Sequence, residues 1–128
     1  MKAIIVDDSR AMRSLLRKLL REIGFDVVAE AENGQEGLAQ LERCEWVDLV
    51  LLDWNMPVMD GFELLCEIRK REHWSDTRVM LVTTETEACQ ILRALDAGAD
   101  EYLIKPFVKE ALREKLNVMG LLDKVGDL

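Results

Sequence analysis

The chain has 128 residues, 49% of them hydrophobic, which suits one domain with its own core. Lys and Arg number 17 against 25 Asp and Glu, a net charge of −8 that argues against non-specific binding to nucleic acid or an anionic membrane. No apolar run approaches the roughly 20 residues of a membrane span, and Cys44, Cys66 and Cys89, with no CxxC pair, read as reduced thiols in a cytoplasm. In chain order, residues 3–6 (AIIV) form a continuous apolar run, as in a strand covered on both faces. A helix follows, with Ser9 placed to cap it and Gly24 to stop it. Its apolar stripe is Met12, Leu15, Leu16, Leu19, Leu20 and Ile23, and Arg10, Arg13, Arg17, Lys18 and Arg21 fill the other faces. Residues 26–30 are strand-like but charged, as edge strands tend to be.

A second helix is predicted over about residues 34–42 with Leu38 and Leu41 inward. Residues 49–52 (LVLL) are a third strand, and a third helix carries Phe62, Leu65, Cys66 and Ile68. Residues 71–77 read as a polar loop, with His73 exposed and idle and with Trp46 and Trp74 as loop or satellite-core residues. A fourth strand at 79–82 precedes a helix carrying Ala88, Ile91, Leu92 and Leu95 and closed by Gly98. A charged fifth strand at 101–104 precedes a helix with Val108, Leu112, Leu116 and Met119 inward. Alternating elements of this kind imply an α/β fold, a doubly wound five-stranded parallel sheet with helices on both faces. The domain is expected over residues 1–120, with 121–128 as a short C-terminal tail.

All strands of a parallel sheet end on one edge, where open α/β folds bind their ligands. The residues just after these strands are Asp7 and Asp8, Asp53, Thr83 and Lys105. Each has an ordinary reading alone: a helix cap for Asp7–Asp8 or Thr83, a turn residue for Asp53, loop punctuation for Lys105–Pro106. Together they combine three carboxylates, a hydroxyl and an ammonium into a metal-plus-anion site. Two carboxylates about 4 Å apart repel by roughly 4 kcal/mol at an effective dielectric near 20. A compensating cation is therefore expected, and oxygen-only ligands suit Mg²⁺. An Asp beside such an ion can act as a nucleophile and become an aspartyl phosphate. The single His73 leaves no zinc site built on several histidines.

At these residues the chain resembles the receiver domains of two-component response regulators, most of all the single-domain chemotaxis type. The matching segments are Val6-Asp7-Asp8-Ser9, Asp53-Trp54-Asn55-Met56-Pro57-Val58-Met59-Asp60-Gly61, Thr83-Thr84-Glu85 and Tyr102-Leu103-Ile104-Lys105-Pro106-Phe107. The resemblance implies the flavodoxin-like strand order 2-1-3-4-5. It implies Asp53 as phosphoacceptor for a histidine kinase, and Mg²⁺ held by Asp8, Asp53 and the Asn55 backbone carbonyl, with Asp7 acting through water. Thr83 and Lys105 would bind the phosphoryl oxygens, Thr83 and Tyr102 would form the switch, and the Lys105–Pro106 bond would be cis. Asn55 and Glu85 would surround the water that attacks the phosphorylated acceptor, which implies fairly fast self-dephosphorylation. The output partner, not identified by sequence, would dock on the fourth helix, fifth strand and fifth helix. A monomer or weak dimer is expected, without direct nucleic-acid or membrane binding.

Two other readings share these residues. One is a receiver cut from a longer transcriptional regulator, although no second hydrophobic pattern follows Met119. The other is a Mg²⁺-dependent phosphatase that also forms an aspartyl phosphate. Those enzymes carry a second Asp two residues after a nucleophile on the first strand, where this chain has Ser9. Trp54, beside Asp53, is expected to report metal binding by fluorescence.

Overall fold

The computed structural model describes residues 1–84 and 89–122. Five strands, β1 (Lys2–Val6), β2 (Asp26–Ala31), β3 (Leu49–Leu52), β4 (Arg78–Thr84) and β5 (Glu101–Lys105), form one sheet of order β2-β1-β3-β4-β5. Every neighbouring pair is parallel. The helices are α1 (Arg10–Ile23), α2 (Gly34–Cys44), α3 (Gly61–Arg69), α4 (Ile91–Asp96) and α5 (Lys109–Val118). The two charged runs are the edge strands, where polar residues cost least. No described helix is long and apolar enough to cross a membrane.

Period-2 alternation divides the buried residues into two cores. Ala3, Ile5, Leu49, Leu51, Met80 and Val82 face α1 and α5. Ile4, Val6, Val50, Leu52, Val79 and Leu81 face α2, α3 and α4. Strands buried on both faces have no register that would leave one side wet, so they are rigid carriers for whatever follows them. In register, Val6 pairs with Leu52, which places Asp7 beside Asp53.

The caps follow the expected chemistry. Ser9 accepts from the Met12 N–H, and Gly24 ends α1 at φ 123. Asp60 and Glu63 form a reciprocal capping box at the start of α3. Several expectations need correction. Residues 71–77 contain a 3₁₀ turn, Glu72–Trp74, whose Trp74 is only 2% exposed, whereas Trp46 is on the surface. His73 is exposed but not idle, its Nε2 lying 2.7 Å from the Glu45 carbonyl oxygen, which also accepts the Trp74 indole N–H at 3.2 Å. In α3 the buried residues are Leu64, Leu65 and Ile68, while Phe62 and Cys66 are half-buried. In α4 only Ala94 is buried and Leu92 is 75% exposed; Ala88 lies outside the described residues. Val108 caps α5 from the surface, and Leu121 and Leu122 are buried in the α1–α5 core.

Candidate functional site

Asp7 and Asp53 leave the ends of β1 and β3 and are 1% and 7% exposed, while Asp8 stands in the open. One oxygen from each of the three carboxylates lies within 4.8 Å of the others. The cluster is positioned by backbone: the Asp53 N–H donates to the Val6 carbonyl at 2.9 Å and the Asp7 N–H to Ala31 at 3.0 Å. Asp7 Oδ1 accepts the Ser9 N–H at 2.8 Å, and Asp53 Oδ1 accepts the Trp54 N–H at 2.9 Å. Arg13 reaches back from α1 to the Asp7 carbonyl at 2.7 Å. That contact links the first helix to the site, and the spacing of the sequence did not reveal it.

Lys105 brings the ammonium in from the end of β5. Its Nζ is 3.2 Å from Asp7 Oδ2 and 3.4 Å from Asp53 Oδ1. The Lys105–Pro106 peptide bond is cis. One cation among three carboxylates leaves a net negative site, with oxygen ligands only and an open side at Asp8. These donors fit a hard divalent cation that retains water, such as Mg²⁺.

Thr83, at the end of β4, is 1% exposed, and its Oγ1 has no hydrogen-bond partner among the described residues. A buried hydroxyl without a partner costs about 1–3 kcal/mol. Such a group at a strand end beside a charged cluster is a donor awaiting an acceptor. Register places Leu81 opposite Tyr102, so Thr83, two residues on, shares the sheet face of Tyr102. Tyr102 is half-buried on β5. Asn55 is exposed in the loop after Asp53. Glu85 lies outside the described residues.

The loop after β3 is held tightly. The Gly61 N–H donates to the Trp54 carbonyl at 2.9 Å, and a Cβ at Gly61 would lie 2.2 Å from the Asp53 carbonyl oxygen. Trp54 is buried, its ring 5.6 Å from that of Phe62. This support fixes the position of the Asp53 carboxylate, which freedom in its loop would spread.

Residues 3–117 match the response regulator receiver domain family. The chain belongs to that family. This receiver domain is 40% identical over 121 residues to a chemotaxis protein CheY homolog of Campylobacter jejuni, covering 94% of the chain and 93% of the relative. It is 41% identical over 117 residues to chemotaxis protein CheY-3 of Vibrio cholerae, covering 91% of the chain and 89% of the relative. Among solved structures, Vibrio cholerae chemotaxis protein CheY4 superposes with a TM-score of 0.82 at 33% identity, covering 92% of this chain and 97% of that one. CheY from the CheX–CheY–BeF₃–Mg²⁺ complex of Borrelia burgdorferi superposes at 0.84 with 25% identity, covering 92% and 88%. The receiver domain is thus CheY-like, with the flavodoxin-like sheet order of that fold.

Proposed function

We propose that this receiver is a phosphorylation-activated switch whose acceptor is Asp53. The observation that carries the reading is the placement of Asp53: almost fully buried, clustered with Asp7 and Asp8, and 3.4 Å from the Lys105 ammonium. An Asp53 carboxylate oxygen forms a bond to phosphorus as the bond from phosphorus to the donor breaks, and the electron pair leaves with the donor. That donor is the phosphohistidine of a histidine kinase or a small acyl phosphate. Asp8, Asp53 and the Asn55 carbonyl, with Asp7 through water, would hold Mg²⁺, which would offset the carboxylate charge and that of the incoming phosphoryl group. Lys105 faces the developing charge as a point cation, and Thr83 donates its unpaired hydroxyl to a phosphoryl oxygen. The protein thereby assists its own phosphorylation, and Asn55 flanks the water in the return reaction.

Phosphorylation replaces one carboxylate charge with about −1.5 to −2. Moving Thr83 toward that charge frees space on the sheet face that Tyr102 shares, and the face made by α4, β5 and α5 changes shape. An open cavity of about 520 Å³ lined by Tyr102, Phe107, Val108 and Lys115 lies on that face, and an output protein docks there. Residues 1–120 form the switching unit in a cytoplasmic monomer or weak dimer, and the start of the 121–128 tail completes its core. The test is incubation with Mg²⁺ and acetyl phosphate followed by intact mass. The native chain gains one phosphoryl group and Asp53→Asn gains none. Equal gain by the mutant, or none by the native chain, refutes the reading.

A further inference from the structure

Tyr102 is the one tyrosine of the chain and stands on the edge strand β5. An edge aromatic has two places for its ring, over the sheet toward the Thr83 side or outward at the rim. The ring is half-buried, packed at the rim of the α2–α3–α4 core, and deeper burial over the sheet would be favoured, so a contact that holds it at the rim sets the balance. The holding group comes from α5. Lys115 Nζ lies 4.0 Å from the centroid of the Tyr102 ring. The same ammonium is 3.1 Å from Glu101 Oε1, and that oxygen also accepts the Tyr102 backbone N–H at 3.0 Å. One carboxylate oxygen therefore ties together the backbone of the tyrosine and the cation above its ring. The Lys115 and Glu101 side chains are 27% and 17% exposed, so the contact is partly shielded from water. Shielding raises a cation–π contact above its value on an open surface.

We infer that Lys115, tethered by Glu101, is a positioning residue that latches the Tyr102 ring in the half-buried conformer it occupies against α5 and sets how far the unphosphorylated protein populates the switched state. The inference rests on the reading of Tyr102 as a switch residue. A contact made in one conformer and lost in the other biases their ratio by its full differential strength. Turning the ring inward takes it away from Lys115, while Lys115 keeps its ion pair with Glu101. Loss of the latch therefore raises the inward population by about three- to tenfold. Phosphoryl transfer to Asp53 involves neither residue directly.

Because Tyr102 has no second tyrosine to confuse it, its χ1 can be read from the three-bond N–Cγ and C′–Cγ couplings in labelled protein. The wild type is measured alone and with Mg²⁺ and beryllofluoride, which defines the two conformers. Lys115→Met alone gives couplings displaced toward the beryllofluoride values, Lys115→Arg restores those of the wild type, and Glu101→Gln falls between. Lys115→Met also reaches half-saturation at a beryllofluoride concentration lower by about the same three- to tenfold. Couplings of Lys115→Met that coincide with the free wild type overturn the latch alone. Wild-type couplings that do not respond to beryllofluoride overturn the switch reading of Tyr102, and the latch with it.

Discussion

Lys105→Met removes the cation that Asp7 and Asp53 share and leaves an apolar stem of similar length. The lysine Nζ is 3.2 Å and 3.4 Å from the two carboxylates. At an effective dielectric of about 20, each contact is worth roughly 5 kcal/mol of gross attraction. Much of that is offset by lysine desolvation, and water can reach the cluster past the exposed Asp8. A net loss of about 2–4 kcal/mol is expected in EDTA, below the 3–5 typical of fully buried pairs. At a slope of about 1.5–2 kcal/mol/M in urea, the midpoint falls by roughly 1–2.7 M. Magnesium should repair part of this deficit, because the variant cluster carries three negative charges and no competing ammonium. If affinity tightens tenfold, saturating Mg²⁺ adds about 1.4 kcal/mol more to the variant than to the wild type. Urea unfolding followed by Trp fluorescence, with EDTA and with MgCl₂, measures both quantities. Equal midpoints in EDTA, or equal magnesium increments, would show that Lys105 does not neutralise the cluster.

Thr83→Val removes a buried hydroxyl that has no partner among the described residues, so stability should rise by up to about 1 kcal/mol, while the Tyr102 couplings should stop responding to beryllofluoride. Urea midpoints and the same NMR experiment check the two halves. Arg69 ties α3 to the opposite edge of the sheet, donating to the carbonyls of Gly98, Trp74 and Thr77 at 2.9, 3.1 and 2.8 Å and to Asp100 at 2.9 Å. Arg69→Met leaves those acceptors to water and should cost about 2–4 kcal/mol, lowering the thermal midpoint by roughly 10 °C. Its phosphoryl uptake by intact mass should persist, since none of these bonds reaches the carboxylate cluster.

The strands and the site chemistry were legible for one reason. A parallel strand buried on both faces must be apolar throughout, so Asp7 and Asp53 mark the ends of β1 and β3 by their charge, while Lys105 closes the charged edge strand β5 and was legible only through its place among the other strand ends. The tight approach of Gly61 to the Asp53 carbonyl was hidden, since a glycine in a turn looks the same whether it needs φ > 0 or only space. Residues 71–77 misled because their composition is polar, yet Trp74 and the Thr77 hydroxyl, which donates to the Val47 carbonyl at 2.9 Å, are buried by tertiary contacts. Leu92 misled in the opposite sense. Helical periodicity placed it inward, but a six-residue α4 offers the sheet only one buried position, Ala94. The pairing of Lys115 with Glu101 and Tyr102 joins a helix to a strand, and no local pattern encodes such a contact.

These contrasts bear on how one chain can be both stiff and switchable. The carboxylate–lysine cluster stands on β1, β3 and β5, and the first two are fully buried along every residue that faces the cores. Displacing them would open two cores at once, so binding energy at the cluster cannot be lost in strand movement. The net charge of −8 acquires a location in the same way. Part of the basic face of α1 is neutralised locally, Arg13 and Arg17 pairing with Glu30 at 3.3 and 3.0 Å, while Asp7, Asp8 and Asp53 bring three carboxylates together against the single Lys105 ammonium. On the α4 side Ala94 and Ala99 lie in the core with Leu95 and Ala97 packed against it, Arg93 lies 4.0 Å over the Phe62 ring, and Tyr102 stands beside Lys115. On the proposed switch reading, a perturbation of a few kcal/mol at a rigid cluster is felt where the opposing contacts are of that same size, at the α4–β5 surface.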